Sequence, residues 1–248
     1  MTRALSPGHK VSHAQALLLS ADPAWGYSSG LDVMLSRLGF SVCVDLADVA
    51  DSQSVTLTLV HCPLGQQLAA ERLDDVSLPK GSLCFAAVPA DGAADVDPLL
   101  PAHLHGVLPV PLVECTLIKA LASRHYITLT TSECQTLKTK VEELTCGDLA
   151  VTQHFVRLLI DTNAATLSTL HDAFSTLSWD AMASAAHRMA GSARMLDCTG
   201  LIAFLVRLER AAREREQELA RAIVQVVGDT VDRLEFALRE LLEPATPS

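Results

Sequence analysis

WDAMASAAHRMAGSARML, residues 179–196, carries its apolar side chains at helical intervals. At about 100° per residue, Met182, Ala185, Met189, Ser192 and Leu196 share one side, which is expected to face a core. His187 falls on the opposite side, together with Asp180, Ala183, Ser184, Ala190, Gly191 and Arg194. The pattern therefore places an imidazole outward among unusually small neighbours. Gly191 costs the helix about 1 kcal/mol relative to alanine, which suggests that something approaches closely there. Imidazole side chains are neutral nucleophiles near pH 7, because their ordinary pKa is about 6.5. The same pattern also suits an ordinary exposed helix that carries an occasional histidine.

The segments on either side are helical too. Amphipathic spacing predicts helices over 131–144, 148–177, 200–213 and 216–243. Asp148 is placed to cap one of them, and Ser178 or Asp180 to start the 179–196 helix. Connections of a few residues between long helices favour antiparallel neighbours, hence an all-α up-and-down four-helix bundle. RLERAAREREQELAR (207–221) reads as a solvated helix junction with local ion pairs. PATPS at the end reads as a frayed tail.

Before residue 125 the pattern changes. AQALLLS (14–20), FSVCV (40–44), SVTLTLV (54–60), GSLCFAAV (81–88) and HGVLPV (105–110) are short, nearly continuous apolar runs rich in β-formers. GLDVMLSRLG (30–39) has helical spacing, and VSLPKG and PADGAADVDPLLPAH supply turn chemistry. Apolar strands separated by helices indicate a parallel sheet covered on both faces. Five of them suit an α/β doubly wound fold of the flavodoxin type. The expected organisation is an α/β domain over 13–122, a linker over 123–130, and the helical domain over 131–243.

Composition excludes several function classes. A net charge of -10 argues against nucleic acid, whose phosphates need a basic surface. No apolar run approaches the roughly 18 residues that span a bilayer, and the N-terminus does not read as a signal peptide. A cytoplasmic protein is expected. The seven cysteines are scattered without a C-x-x-C pair, as expected of reduced, buried thiols. His103, His105 and Cys115 lack metal-ligand spacing. His61 and Cys62 are adjacent in a strand and so point to opposite faces. Ser20 and Ser82 lack a nucleophile-elbow context, and no glycine-rich nucleotide-binding motif is present.

AAHRMAGSARMLDCTGLIAFLVRLE (185–209) resembles the signature of histidine-containing phosphotransfer (HPt) domains, in which A-H-x-L-K-G-S-A precedes a small-residue turn and L…LE. The likeness extends over about 110 residues, from near Thr131 to Glu243. It implies that His187 is the phosphoacceptor, that Gly191 is the glycine one turn on, and that Ser192 and Ala193 are the small residues after it. The family usually has lysine three residues after the histidine, whereas this chain has Ala190. Arg188 and Arg194 are candidates to replace it, since guanidinium groups hold phosphoryl oxygens by charge-assisted hydrogen bonds.

Residues 13–122 resemble, more weakly, a response-regulator receiver. ALLLSADPAW lies where receivers have a strand ending in two acidic residues, LGFSVCVDLADV resembles their second strand, and LHGVLPVPLVECTLIKAL resembles their last strand, Lys-Pro and final helix. The chemistry that resemblance would bring needs carboxylates for Mg²⁺, an acceptor aspartate and a lysine. Here those places match Ser20 and Ala21 with Asp22 nearby, Leu59 or His61, and Val110. The expectation is therefore a pseudoreceiver without phosphorylation of its own, acting as a docking or regulatory module. An unrelated α/β domain is the alternative.

Together the resemblances imply a phosphorelay protein. Its expected partners are receiver domains of a hybrid sensor kinase or response regulator, with no nucleic acid and no membrane. No cofactor is expected beyond the Mg²⁺ a partner receiver supplies, and no ATP-dependent kinase activity. A scaffold that binds receivers without transfer is the rival reading. The same domain order ends hybrid kinases; Met1 is expected to mark a free-standing protein.

Overall fold

Among the described residues, five strands run β1 Gln15–Leu19, β2 Ser41–Cys43, β3 Val55–His61, β4 Leu83–Pro89 and β5 Gly106–Val110. They form one all-parallel sheet in the order β2-β1-β3-β4-β5, which is the flavodoxin-like order. The structure is a computed structural model that describes residues 13–22, 24–44, 49, 54–63, 81–90 and 103–243. The turn segment VSLPKG, apart from Gly81, most of PADGAADVDPLLPAH, and the terminal PATPS lie outside them.

The apolar runs are explained by burial on both faces of the sheet. Leu57, Leu59, Phe85 and Ala87 join the large core. The alternate residues Val60, Cys62, Cys84, Ala86 and Val88 make a smaller cluster with Leu104 on the other face. Short helices α1 (Trp25–Ser28) and α2 (Leu31–Arg37) follow β1, and α3 (Glu114–Ser123) follows β5.

The C-terminal half consists of α4 (Thr131–Leu144), α5 (Leu149–Ser175), α6 (Trp179–Met195), α7 (Thr199–Glu214) and α8 (Gln217–Glu240). Packing of α5 on α6, α6 on α7, α7 on α8 and α8 back on α5 closes a four-helix ring. Helix α4 is a fifth helix laid against α8 and α5. The connections after α3, α4, α5, α6 and α7 share one stop signal. His125, Cys146, Leu177, Asp197 and Arg215 each adopt positive φ between 50° and 57°. Paired backbone bonds such as Cys198 N–H to Ala193 O and Asp197 N–H to Arg194 O complete these Schellman turns. Such tight reversals, each turning on a non-glycine residue at positive φ, permit the antiparallel ring.

Helix starts differ from one another. Thr130 and Glu133 form a capping box on α4, and Asp148 accepts from Val151 N–H at 3.0 Å to cap α5. Ser178 occupies the N-cap position of α6 but does not cap it, which corrects the sequence expectation. Its ψ is 81°, against 159° at Thr130 and 118° at Asp148. That torsion turns the hydroxyl away from the helix, and it pairs instead with Thr176 Oγ1 at 3.0 Å.

Residues 126–130 pack between the two halves, buried or half-buried. Tyr126 is buried, hydrogen-bonds Thr56 Oγ1 of β3 at 3.0 Å, and lies against Phe40 and Phe204. Thr128 N–H donates to Thr230 Oγ1 of α8 at 3.1 Å. Gly200 starts α7 directly under this segment: a Cβ there would lie 2.6 Å from Thr128 O. One hydrophobic core runs from Leu57 and Phe85 through Tyr126 and Leu129 to Phe204 and Leu234. Arg207 adds a polar clamp. Its Nε donates to both oxygens of Glu114 at 2.9 Å, and it also binds Glu216 at 2.9 Å. This corrects the reading of 207–221 as a purely local ion-pair junction, which holds for Arg210–Glu214 and Arg213–Glu209 but not for Arg207.

Candidate functional site

Helix α6 buries Met182, Ala185, Met189 and Leu196 and leaves Ser192 half-buried, while the side chain of His187 is 68% exposed. Ser184, Arg188, Gly191 and Arg194 are exposed around it. Ala190 is not among them: it is 1% exposed, which corrects its placement beside His187 on the outer face. A helix squeezed between two neighbours buries a wider stripe than a single apolar row, so Ala186, Ala190 and Ala193 are covered as well. A Cβ on Gly191 would meet nothing within 4 Å. The fold does not require glycine there.

Two residues of α7, Glu209 and Arg213, stand beside His187. His187 Nδ1 lies 3.2 Å from Glu209 Oε2. The other oxygen of Glu209 accepts from Arg213, one turn further along the helix. Glu209 is well covered, with 13% of its side chain exposed, whereas Arg213 is 70% exposed. A carboxylate facing Nδ1 accepts a hydrogen bond from an Nδ1–H, and an imidazole neutral in that form carries its lone pair on Nε2. Such a contact favours the tautomer protonated on Nδ1. An open depression lined by Asp180, Ala183, Ser184, His187, Arg188, Glu209 and Arg213 surrounds it. Arg194 does not line it, since seven residues of helix place it about 10 Å along the axis from His187. Glu209 is the last residue of the sequence motif and Arg213 follows at the ion-pairing interval of four. That spacing was the available signal.

At the C-terminal edge of the sheet, where open α/β folds place their ligands, the groups present are different. Ser20 Oγ lies 3.0 Å from His61 Nδ1, and the His61 ring stacks on Trp25 with centroids 4.4 Å apart. Burial pushes the His61 pKa below its ordinary value, against the pull of Asp22. Asp22 spends its side chain on Ala24 N–H at 2.9 Å. Leu59 is fully buried inside the strand, so His61 is the residue at the end of β3. Val110 ends β5. Cys62 faces the opposite cluster from Trp25. His105 is engaged by Cys84 N–H at 3.0 Å. Among the described residues no group of three or more His, Cys, Asp or Glu is placed to hold a metal ion. Cys62, Cys84 and Cys198 are buried thiols, and burial raises the Cys84 pKa to about 12. Cys146 is exposed, contrary to the expectation for the whole set. No described helix is long and apolar enough to cross a membrane.

An α/β unit with the flavodoxin-like strand order is followed by a helical ring that displays a histidine beside a covered carboxylate. Residues 154–243, which span most of α5 and all of α6 to α8, match the family model of the Hpt domain, so the C-terminal ring is an Hpt domain. The chain thus has a phosphorelay role of the histidine-phosphotransfer kind. No curated protein matches, and no solved structure matches.

Proposed function

We propose that His187 accepts a phosphoryl group from the aspartyl phosphate of a partner receiver and passes it to a second receiver. The observation that carries this reading is the Glu209-held imidazole standing 68% exposed on the Hpt ring. The Nε2 lone pair forms the N–P bond while the P–O bond to the donor carboxylate breaks, and the carboxylate leaves with the electron pair. The Nδ1 proton stays against Glu209, whose charge stabilises the imidazolium that develops, as a buried carboxylate does for a catalytic histidine. Mg²⁺ would come with the partner receiver, which supplies the acidic cluster that binds it. Arg188, Gly191 and Ser184 border the approach to Nε2, and Arg194 lies further along the same helix. The protein would work in the cytoplasm, where hybrid kinases expose their receivers, and the α/β unit would serve docking or regulation.

The test is label transfer from a phosphorylated receiver to wild type and to His187→Gln. Label on wild type, acid-labile and absent from the variant, is the expected result. Equal label on both, or label on neither, overturns it. Stable binding of the receiver without label would favour a scaffold, a reading to which the missing lysine at Ala190 lends support.

A further inference from the structure

We infer that Arg213 is the phosphate-binding cation of this site, supplied from the neighbouring helix in place of the lysine that position 190 lacks. The inference rests on the phosphotransfer reading of His187. Residue 190 offers no charge and no access, because Ala190 is buried under the packing of α6. Arg194 lies outside the depression. Two cations line it with His187: Arg188, next to it on the same helix, and Arg213. Only Arg213 is coupled to the imidazole. One carboxylate, Glu209, binds the ring nitrogen through Oε2 and the guanidinium through Oε1, so ring and guanidinium are two hydrogen bonds apart.

The exposures of the two α7 residues suit different tasks. Glu209 is fixed, and it places a negative charge beside the point where a dianionic group must arrive. Arg213 offsets that charge, and as an exposed side chain with five N–H donors it has groups left over for phosphoryl oxygens. When Nε2 carries the phosphoryl group, Arg213 holds Glu209 with one edge and the phosphoryl oxygens with another. Asp180, two turns before His187, also lines the depression, and its negative charge adds to the need for a cation.

The experiment uses the full chain and two phosphodonors: phosphoramidate, which phosphorylates imidazole without any protein partner, and a phosphorylated receiver. Labelled fraction and phosphohistidine lifetime are read by phosphorus NMR for wild type, Arg213→Ala, Arg213→Lys and Arg210→Ala. Arg210 pairs with Glu214 and is not among the residues lining the depression. Arg213→Ala is expected to lower the rate from the receiver about tenfold and to move the phosphohistidine resonance. Arg213→Lys should recover a substantial part, and Arg210→Ala should match wild type. The loss should persist in a Glu209→Gln background. Wild-type behaviour of Arg213→Ala, an equal fall in Arg210→Ala, or disappearance of the effect without Glu209 would each overturn the inference. Failure of the receiver to label wild type would instead sink the phosphotransfer reading, and the phosphoramidate arm still tests Arg213.

Discussion

Gly191 and Glu209 flank the same imidazole and answer to different demands. Glu209 is anchored by Arg213 and oriented on Nδ1, so its removal would free the tautomer and the ring angle. Gly191 is exposed with open space over it, so a methyl group costs the fold nothing sterically. Gly191→Ala is therefore expected to stabilise the protein by about 0.5–1 kcal/mol through helix propensity. The same substitution should slow transfer from a phosphorylated receiver, because the added methyl stands where the partner must approach. Urea unfolding and transfer kinetics on one variant check both directions. A stabilised variant with unchanged transfer would mean that no partner comes close at residue 191.

Helices α4 and α7 are tied by one side chain. Glu133 is 3% exposed. Its Oε2 accepts from Thr130 N–H at 2.8 Å within the capping box, and its Oε1 accepts from Thr199 N–H at 2.9 Å, at the first turn of α7. A carboxylate satisfies both donors, whereas a glutamine has one acceptor oxygen and would turn an NH₂ toward the other N–H. Glu133→Gln is expected to cost about 1–3 kcal/mol, the range for a buried donor left unpaired. Burial holds the Glu133 pKa above its ordinary value of 4.5, in spite of the backbone bonds that pull it down. A carboxyl raised in the folded state binds its proton more tightly there than in the unfolded chain. Its contribution is full below pH 4.5 and declines as pH rises through the elevated folded value. The margin of wild type over Glu133→Gln should accordingly narrow as pH rises above 4.5, as read by urea midpoints at successive pH values. A margin that widens with pH would contradict this account.

A single core and a part-buried ion pair cross between the two halves, so they are expected to unfold as one body. Arg207 has 15% of its side chain exposed and Glu114 25%, so removing one partner leaves the other poorly solvated. Arg207→Met is expected to destabilise the full chain by roughly 1–3 kcal/mol. Unfolding should stay a single transition by circular dichroism and by Trp fluorescence. Two separated transitions would show that the α/β unit and the Hpt ring melt independently. Arg207 and Glu209 sit about 200° apart around α7, so the α/β unit is fastened to the opposite flank from His187.

Local pattern was enough for much of this molecule. The continuous apolar runs of β1 to β5, the 3.6-residue spacing of α4 to α8, and the outward position of His187 depend on neighbours in sequence. Those neighbours determine which side chains share a face, and they were legible in the bare chain. The width of the buried stripe that swallows Ala190 was not, because it depends on how many helices press on α6. Nor were the pairs Glu209 with His187, Glu133 with Thr199 and Arg207 with Glu114, whose members are 22, 66 and 93 residues apart. Charge and spacing say that such groups want partners. Only the tertiary packing, which brings α6 beside α7 and seats α3 against the α7–α8 turn, selects which partner each one meets.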